Sequence, residues 1–326
     1  MDRALSAGTF RSAPGSASSR NVKLGIGTVQ FGMPYGISNA AGQVPEHEVA
    51  RILEAARRVG VDLLDTAHAY GTSEDVLGRH LSKSDVFRIV TKTPPFRVPR
   101  LDTGHVVKAK ADFLASLARL RRDKVYALLV HDCSDILVPG GDLLFDQVLA
   151  LKGQGLADKV GVSVYSSSQI DAILARYPID IIQLPVNVLD QRLLHSGHLA
   201  RLRTAGVEIH ARSVYLQGLL LMNPADLSRA FEGVREHLAR YHAAIAKAGM
   251  TPVEAALGYV AGLPEIASVI VGVVSAQQLE QAALVIARAK LIPEDFRQFA
   301  WNDETTIDPS RWASVLTQGG TPPEAR

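Results

Sequence analysis

Cysteine is almost absent from this chain, whose 326 residues include one, Cys133. A single thiol excludes an internal disulfide and offers no spacing for a metal, so Cys133 reads as an incidental buried thiol and no metal site is expected. Charge of one sign is equally scarce. Lys and Arg total 35 against 33 for Asp and Glu, which leaves no field to collect nucleic acid or an anionic membrane surface. Long apolar runs are missing too. The longest, "IASVIVGVV" from Ile266 to Val274, falls far short of the roughly 18 residues a spanning helix needs. No Pro- or Gly-rich linker divides the chain, and no G-x-G-x-x-G turn follows an early strand, so the usual sequence mark of an open dinucleotide-binding sheet is lacking. The first 20 residues, "MDRALSAGTFRSAPGSASSR", are rich in Ser, Ala and Gly without a continuous apolar centre. They read as a disordered lead-in, not a secretory signal. These absences point to a cytoplasmic enzyme with no nucleic-acid and no membrane partner, and nothing in the sequence fixes its oligomeric state.

What is present is an alternation of two textures. Short β-branched runs recur as "VKLGIGTVQF", "VDLLDTA", "FRIVTKT", "VYALLVHD", "KVGVSVY", "IDIIQLPVN", "VEIHARSVY" and "ASVIVGVV". Helix-like stretches separate them. In "PEHEVARILEAARRVG", Val49, Ile52, Leu53 and Ala56 form one apolar stripe and Gly60 is a stop. Strand–helix alternation implies parallel pairing through crossover helices. Eight strands, each followed by a helix, fit a closed (β/α)8 TIM barrel of about 250 residues, ahead of an open doubly wound sheet. The expectation is a single α/β domain over 21–326, with an additional helix pair around Leu227 to Gly262 and a tail from about 300.

Catalytic groups in such a barrel sit at the C-terminal ends of strands. There the sequence offers Asp65 with Tyr70 just beyond in "DTAHAYGTSE", Lys92 in "VTK" and His131 in "LLVH". A tyrosine is a weak acid at neutral pH unless a cation lies close. Lys92 is expected to lower the Tyr70 pKa, and Asp65 to pair with the buried lysine. His131 is then free to hydrogen-bond a carbonyl oxygen. The set suits protonation of an oxygen as a hydride arrives at carbon.

In this order on strands 2, 3 and 4, "DTAHAYGTSE", "VTK" and "LLVH" resemble the catalytic signature of the aldo-keto reductases, and the likeness runs from about Val22 to Ala289. The resemblance implies a (β/α)8 barrel that binds NADP(H) or NAD(H) without a glycine fingerprint and reduces a small-molecule carbonyl substrate. Tyr70 would be the general acid, supported by Lys92 and Asp65, with His131 orienting the carbonyl. It also implies nicotinamide contacts at Ser163 in "GVS" and at Gln183 in "QLPVN". The pyrophosphate would meet "SVYLQGLL", with Ser213, Leu216, Gln217 and Gly218, and the adenosine would meet "VGVVSAQQLEQA", with Gly272, Val274 and Gln278. Gly27 and Thr28 in "LGIGTVQFG" complete the candidate cofactor contacts.

The chain departs from the family pattern in two places. An aromatic residue often stacks on the nicotinamide where this chain has Arg212. Along strand 7, Glu208, His210 and Arg212 share one face and Val207, Ile209 and Ala211 the other. The apolar face should meet the helices, so Arg212 is expected to point into the barrel and stack on the ring or bind an anionic or polyol substrate. Where NADPH-dependent members carry an Arg or Lys for the 2′-phosphate, this chain has Val274; NADP(H) is the family expectation, with NAD(H) or dual use open. Two rival functions stand beside the reductase. One is a Schiff-base aldolase with Lys92 as nucleophile. The other is a nicotinamide-binding redox sensor, because the family includes channel-associated subunits. Substrate choice falls to the loops after the strands, where Tyr35, Phe96 and Trp301 are the main aromatic candidates.

Overall fold

The computed structural model describes residues 23–288 and 294–312; the lead-in and the last residues of the tail lie outside that range. Eight parallel strands close on themselves in chain order. They are β1 (Lys23–Gly27), β2 (Leu63–Asp65), β3 (Arg88–Lys92), β4 (Val125–Val130), β5 (Ala157–Ser163), β6 (Ile181–Pro185), β7 (Glu208–Arg212) and β8 (Ser268–Gly272). Closure comes from β1, which pairs with β2 on one side and with β8 on the other, in the register Gly25 to Leu63 and Gly25 to Ile270. The fold is a single (β/α)8 barrel.

Each strand is buried on both faces, so its apolar residues divide between two cores. Ile26, Leu64, Ile89, Leu128, Val160, Ile182, Ile209 and Val269 face outward into the large core shared with the helices. Leu63, Val90, Ala127, Leu129, Ile181 and Ile270 form a separate plug inside the barrel. Helix Glu46–Val59 buries Val49, Ile52, Leu53 and Ala56, the stripe legible in the sequence, and ends at Gly60 in the left-handed region. Helices Thr103–Leu120, Ser167–Arg176 and Pro252–Ala261 each begin with a capping box, set by Asp102, Ser166 and Thr251. Such caps satisfy N–H groups that a helix start leaves without partners.

The helix pair expected around Leu227 to Gly262 is present as Glu232–Lys247 and Pro252–Ala261. Tyr241 on the first packs edge-on against Phe296 and Phe299, which ties the segment leading into the tail to this helix. Among the described residues no helix is long and apolar enough to cross a membrane, and no group of three or more His, Cys, Asp or Glu side chains is placed to hold a metal.

Candidate active site

Strand side chains alternate faces, so the residue two positions beyond each member of the inner plug also points inward, one layer nearer the C-terminal mouth. From Leu63 this reaches Asp65, from Val90 Lys92, from Leu129 His131, from Ile181 Gln183 and from Ile270 Gly272. β5 adds Ser163, paired with Gln183, and β7 adds Arg212, paired with Pro185 one inward position further along. The apolar plug seals the barrel below this layer, and the polar layer above it forms the base of a cleft of roughly 730 Å³, within the usual size range of small-molecule sites.

Three donor contacts fix Lys92. Its ammonium, 2% exposed as a residue, donates to Asp65 Oδ1 at 2.7 Å, to the Thr66 carbonyl at 2.9 Å and to Tyr70 Oη at 3.4 Å. Asp65 Oδ1 also accepts from Gln183 Nε2 at 2.8 Å. The buried carboxylate that ends β2 is thereby satisfied, as desolvation requires. Burial pulls the Lys92 pKa below its ordinary value, with the Asp65 charge opposing it.

The Tyr70 hydroxyl differs from its expected state. Burial, followed by the Asp65 charge, pushes its pKa up, while the Arg212 guanidinium pulls the other way. Desolvation therefore outweighs the lowering expected from Lys92, and the phenol keeps its proton. The His131 ring stands edge-on to Tyr70 at 5.8 Å between centroids. Burial and the nearby Lys92 and Arg212 charges push its pKa down to about 3, so the imidazole is neutral. Its Nδ1 is buried without a hydrogen-bond partner among the described residues, an orphan polar atom beside the phenol.

Backbone contacts hold the Tyr70 turn in place. Thr72 N–H donates to the Gly32 carbonyl at 3.3 Å. Gly71 adopts a φ of +56°, and a Cβ on Gly32 would lie 1.9 Å from the Tyr70 carbonyl oxygen. Glycine is required here because two backbones touch. Further along, Glu74 is buried and accepts from Thr91 Oγ1 at 2.6 Å and from Arg119 at 2.7 Å. Arg119 also reaches His68 Nδ1 at 2.9 Å. This network ties both flanks of Tyr70 to β3 and helix Thr103–Leu120.

The candidate cofactor contacts divide. Gly27, Ser163, Gln183, Arg212, Ser213, Gln217, Gly218, Gly272, Val274 and Gln278 line the same cleft as Asp65, Tyr70 and His131. Thr28 and Leu216 do not. Thr28 is fully buried and its hydroxyl donates to the Asp65 carbonyl at 3.0 Å, so it latches β1 to β2. Leu216 is buried beneath the turn that Gln217 and Gly218 form at positive φ. Gln278 accepts from Val274 N–H at 2.9 Å and so braces the entry to helix Ala276–Arg288. Lys92 lies behind the cleft surface, acting through Tyr70 and Asp65. Phe96 and Trp301 are likewise not in the lining; they pack against His105 and His237. Cys133 is buried, and its thiol is pushed up to about 12, first by burial.

Among the lining residues that sequence reasoning did not single out are Gln30, Tyr165, Tyr215, Val253 and Gln281. Tyr165 follows Ser163 with the same parity, a signal that was available. The dinucleotide that the family likeness implies fits the residues present. Gln30 Oε1 is buried without a hydrogen-bond partner among the described residues, and the Gln30 amide lies 2.7 Å from where a Cβ on Gly272 would stand, so this wall offers an unused acceptor. Helix Ala276–Arg288 opens at the far end of the lining, with its Ala276 N–H bonded to Glu48 Oε1.

Comparison with known proteins adds a second line of observation. The family model described as "Aldo/keto reductase family" matches residues 23–301. Aldo-keto reductase YhdN of Bacillus subtilis is 29% identical over 53% of this chain and 53% of its own length; a Mycolicibacterium smegmatis aldo-keto reductase is 30% identical over 46% of its length. The chain thus spans about half the length of these two relatives in the matched segments. L-galactose dehydrogenase of Arabidopsis thaliana is 26% identical over 91% of this chain and 97% of its own. Among solved structures, the holo form of an aldo-keto reductase from Bacillus halodurans superimposes with a TM-score of 0.70 at 21% identity, covering 86% of this chain and 94% of that one. Glycerol dehydrogenase from Gluconobacter oxydans superimposes with a TM-score of 0.65 at 19% identity, covering 93% and 94%. Both are likenesses of fold.

Proposed function

The chain belongs to the aldo/keto reductase family, and from that premise we propose that it reduces a small aldehyde or ketone to an alcohol with Tyr70 as proton donor. The observation that carries the reading is the contact of Lys92 with both Asp65 and Tyr70 beneath a cleft that Tyr70 and His131 line. A bound reduced nicotinamide would supply the hydride, with Ser163, Gln183, Gln217 and Gly272 as its holders.

The chain's own groups handle the proton. Neutral His131 donates an N–H to the carbonyl oxygen and steers it toward Tyr70 Oη. The raised Tyr70 pKa keeps the phenolic proton in place until negative charge develops on that oxygen. Proton transfer leaves a phenolate, which the Lys92 ammonium stabilises across the 3.4 Å contact. Asp65 in turn keeps the buried ammonium charged. Lys92 donates to three acceptors and lines no part of the cleft, so an imine-forming role finds no support.

At the adenosine end, the lining contributed by Val253, Val274, Gln278 and Gln281 carries no cation. The Ala276 N–H is already taken by Glu48 Oε1 at 2.9 Å. A carboxylate there disfavours a 2′-phosphate, which shifts the reading from NADP(H) toward NAD(H) or dual use. Fluorescence titration with NADH and NADPH tests this directly. NADH binding at least as tightly as NADPH is expected; binding of neither would overturn the reductase reading. A carbonyl panel should then show Tyr70→Phe lowering kcat by about 10²–10⁴-fold, with cofactor affinity retained.

A further inference from the structure

Two charged side chains line the cleft among the described residues, Asp65 and Arg212. Asp65 is neutralised by Lys92 at 2.7 Å. Arg212 has no carboxylate partner among the described residues. Its Nη2 donates to the Val164 carbonyl at 3.1 Å and its Nη1 approaches Ser213 Oγ at 3.3 Å. One guanidinium face lies 4.0 Å from the centre of the Tyr165 ring. A guanidinium is a rigid fork with more N–H donors than these two contacts use, and the ring fixes its plane without neutralising it. The cleft therefore carries one uncompensated positive charge, held rigidly. It lines the same cleft as Tyr70 and His131, and its charge acts on the titration of both.

We propose that Arg212 is an anion-binding subsite of this cleft, and that the carbonyl substrate bears a carboxylate or phosphate group that Arg212 grips while the carbonyl oxygen meets Tyr70. The pairing is chemically specific because a planar fork matches the oxygens of either anion. Tyr165 holds the fork in orientation from behind, and Tyr35 lines the same cleft as an apolar wall for a short carbon chain. In the reaction the hydride adds to the carbonyl carbon and the Tyr70 proton to its oxygen, so the anionic group passes through unchanged. The inference rests on the reductase reading for the chemistry at the carbonyl, and on the cleft alone for binding of the anion.

Matched probes test it. The ratio of kcat/KM for 4-oxobutanoate over its methyl ester reads a carboxylate, and the ratio for glyceraldehyde 3-phosphate over glyceraldehyde reads a phosphate. At least one ratio is expected to exceed about tenfold and to fall toward unity in Arg212→Gln. Arg212→Lys, which keeps the charge without the fork, should lie between. Each ratio is taken within one variant, so a general loss of activity cancels, and thermal unfolding of each variant checks that it folds. Ratios near unity in the unmodified protein, or unchanged in Arg212→Gln, would overturn the proposal. So would an NADH affinity that falls in Arg212→Gln by the same factor as turnover of the charged probe, since the guanidinium would then serve the dinucleotide phosphates. Calorimetry with succinate against succinamide separates the two readings. Arg212-dependent succinate binding without turnover of any carbonyl would keep the subsite and remove the reductase. Turnover with no charge preference would do the reverse.

Discussion

Asp65 accepts hydrogen bonds from Lys92 and Gln183 at a site only 4% exposed. Removing one member of such a pair leaves the other charge buried and uncompensated, which costs about 3–5 kcal/mol. Asp65→Asn and Lys92→Met should each lower the unfolding free energy by that order in urea titrations. The double variant should recover much of the loss, because the two sites are coupled. Additive losses would show that the pair is not a unit. His131 gives a pH prediction. Its folded pKa, about 3, lies below the ordinary value near 6.5, so below pH 6.5 the unfolded chain binds the extra proton. Stability from this group is therefore present above pH 6.5 and is lost as pH falls toward 3, by at most about 1.4 kcal/mol per pH unit. Unfolding free energy measured from pH 7 to 5 should flatten in His131→Gln. An unchanged slope would place the histidine in water.

At the scale of elements, the strands carry the site and a helix–turn contact aims it. The parity of β7 placed Arg212 inward and the order of strand ends placed Asp65, Lys92 and His131 together, because two-residue alternation is local and survives in the sequence. The same alternation would have yielded Tyr165 had it been carried past Ser163. Thr28, Leu216, Phe96 and Trp301 were not legible in this way. Their directions are set after the strands end, by partners far along the chain such as Ser73 for Thr28 and His237 for Trp301. The contact between Gly32 and the Tyr70 turn is of that long-range kind. A methyl group there would sit 1.9 Å from the Tyr70 carbonyl and 2.3 Å from Ser73 N, so the turn or the short helix Val29–Gly32 must move. Gly32→Ala is expected to lower kcat/KM by about 10²-fold, the order that an ångström of misplacement costs. Gly153→Ala, where no atom lies within 4 Å, is the neutral control. Full activity in Gly32→Ala would mean that the turn does not aim Tyr70.

Over the whole barrel, polar groups occupy both ends of the apolar plug, and the two ends have different work. At the N-terminal end, Glu208 on β7 accepts from Tyr126 Oη at 2.9 and 2.8 Å and pairs with Lys159 on β5. It also meets His210 Nε2 at 2.7 Å, and these partners hold its carboxyl well below the usual carboxylate range despite burial. Arg88 and Lys159 both lie against the Tyr126 ring, at 4.9 and 5.1 Å from its centre. This floor joins β3, β4, β5 and β7 across the barrel, where polar residues read as stability and not as catalysis. Glu208→Ala removes the acceptor of a fully buried His210. A buried donor left unsatisfied costs about 1–3 kcal/mol, so the urea midpoint should fall with an unchanged m-value. The expected kcat stays within about twofold, since the plug of Leu63, Val90, Ala127, Leu129, Ile181 and Ile270 separates floor from cleft and non-contacting sites act independently. A large loss of kcat at full stability would mean that charge at the floor reaches Tyr70 through the β6–β7 pair of Gln183 and His210, and the plug would then be no insulator.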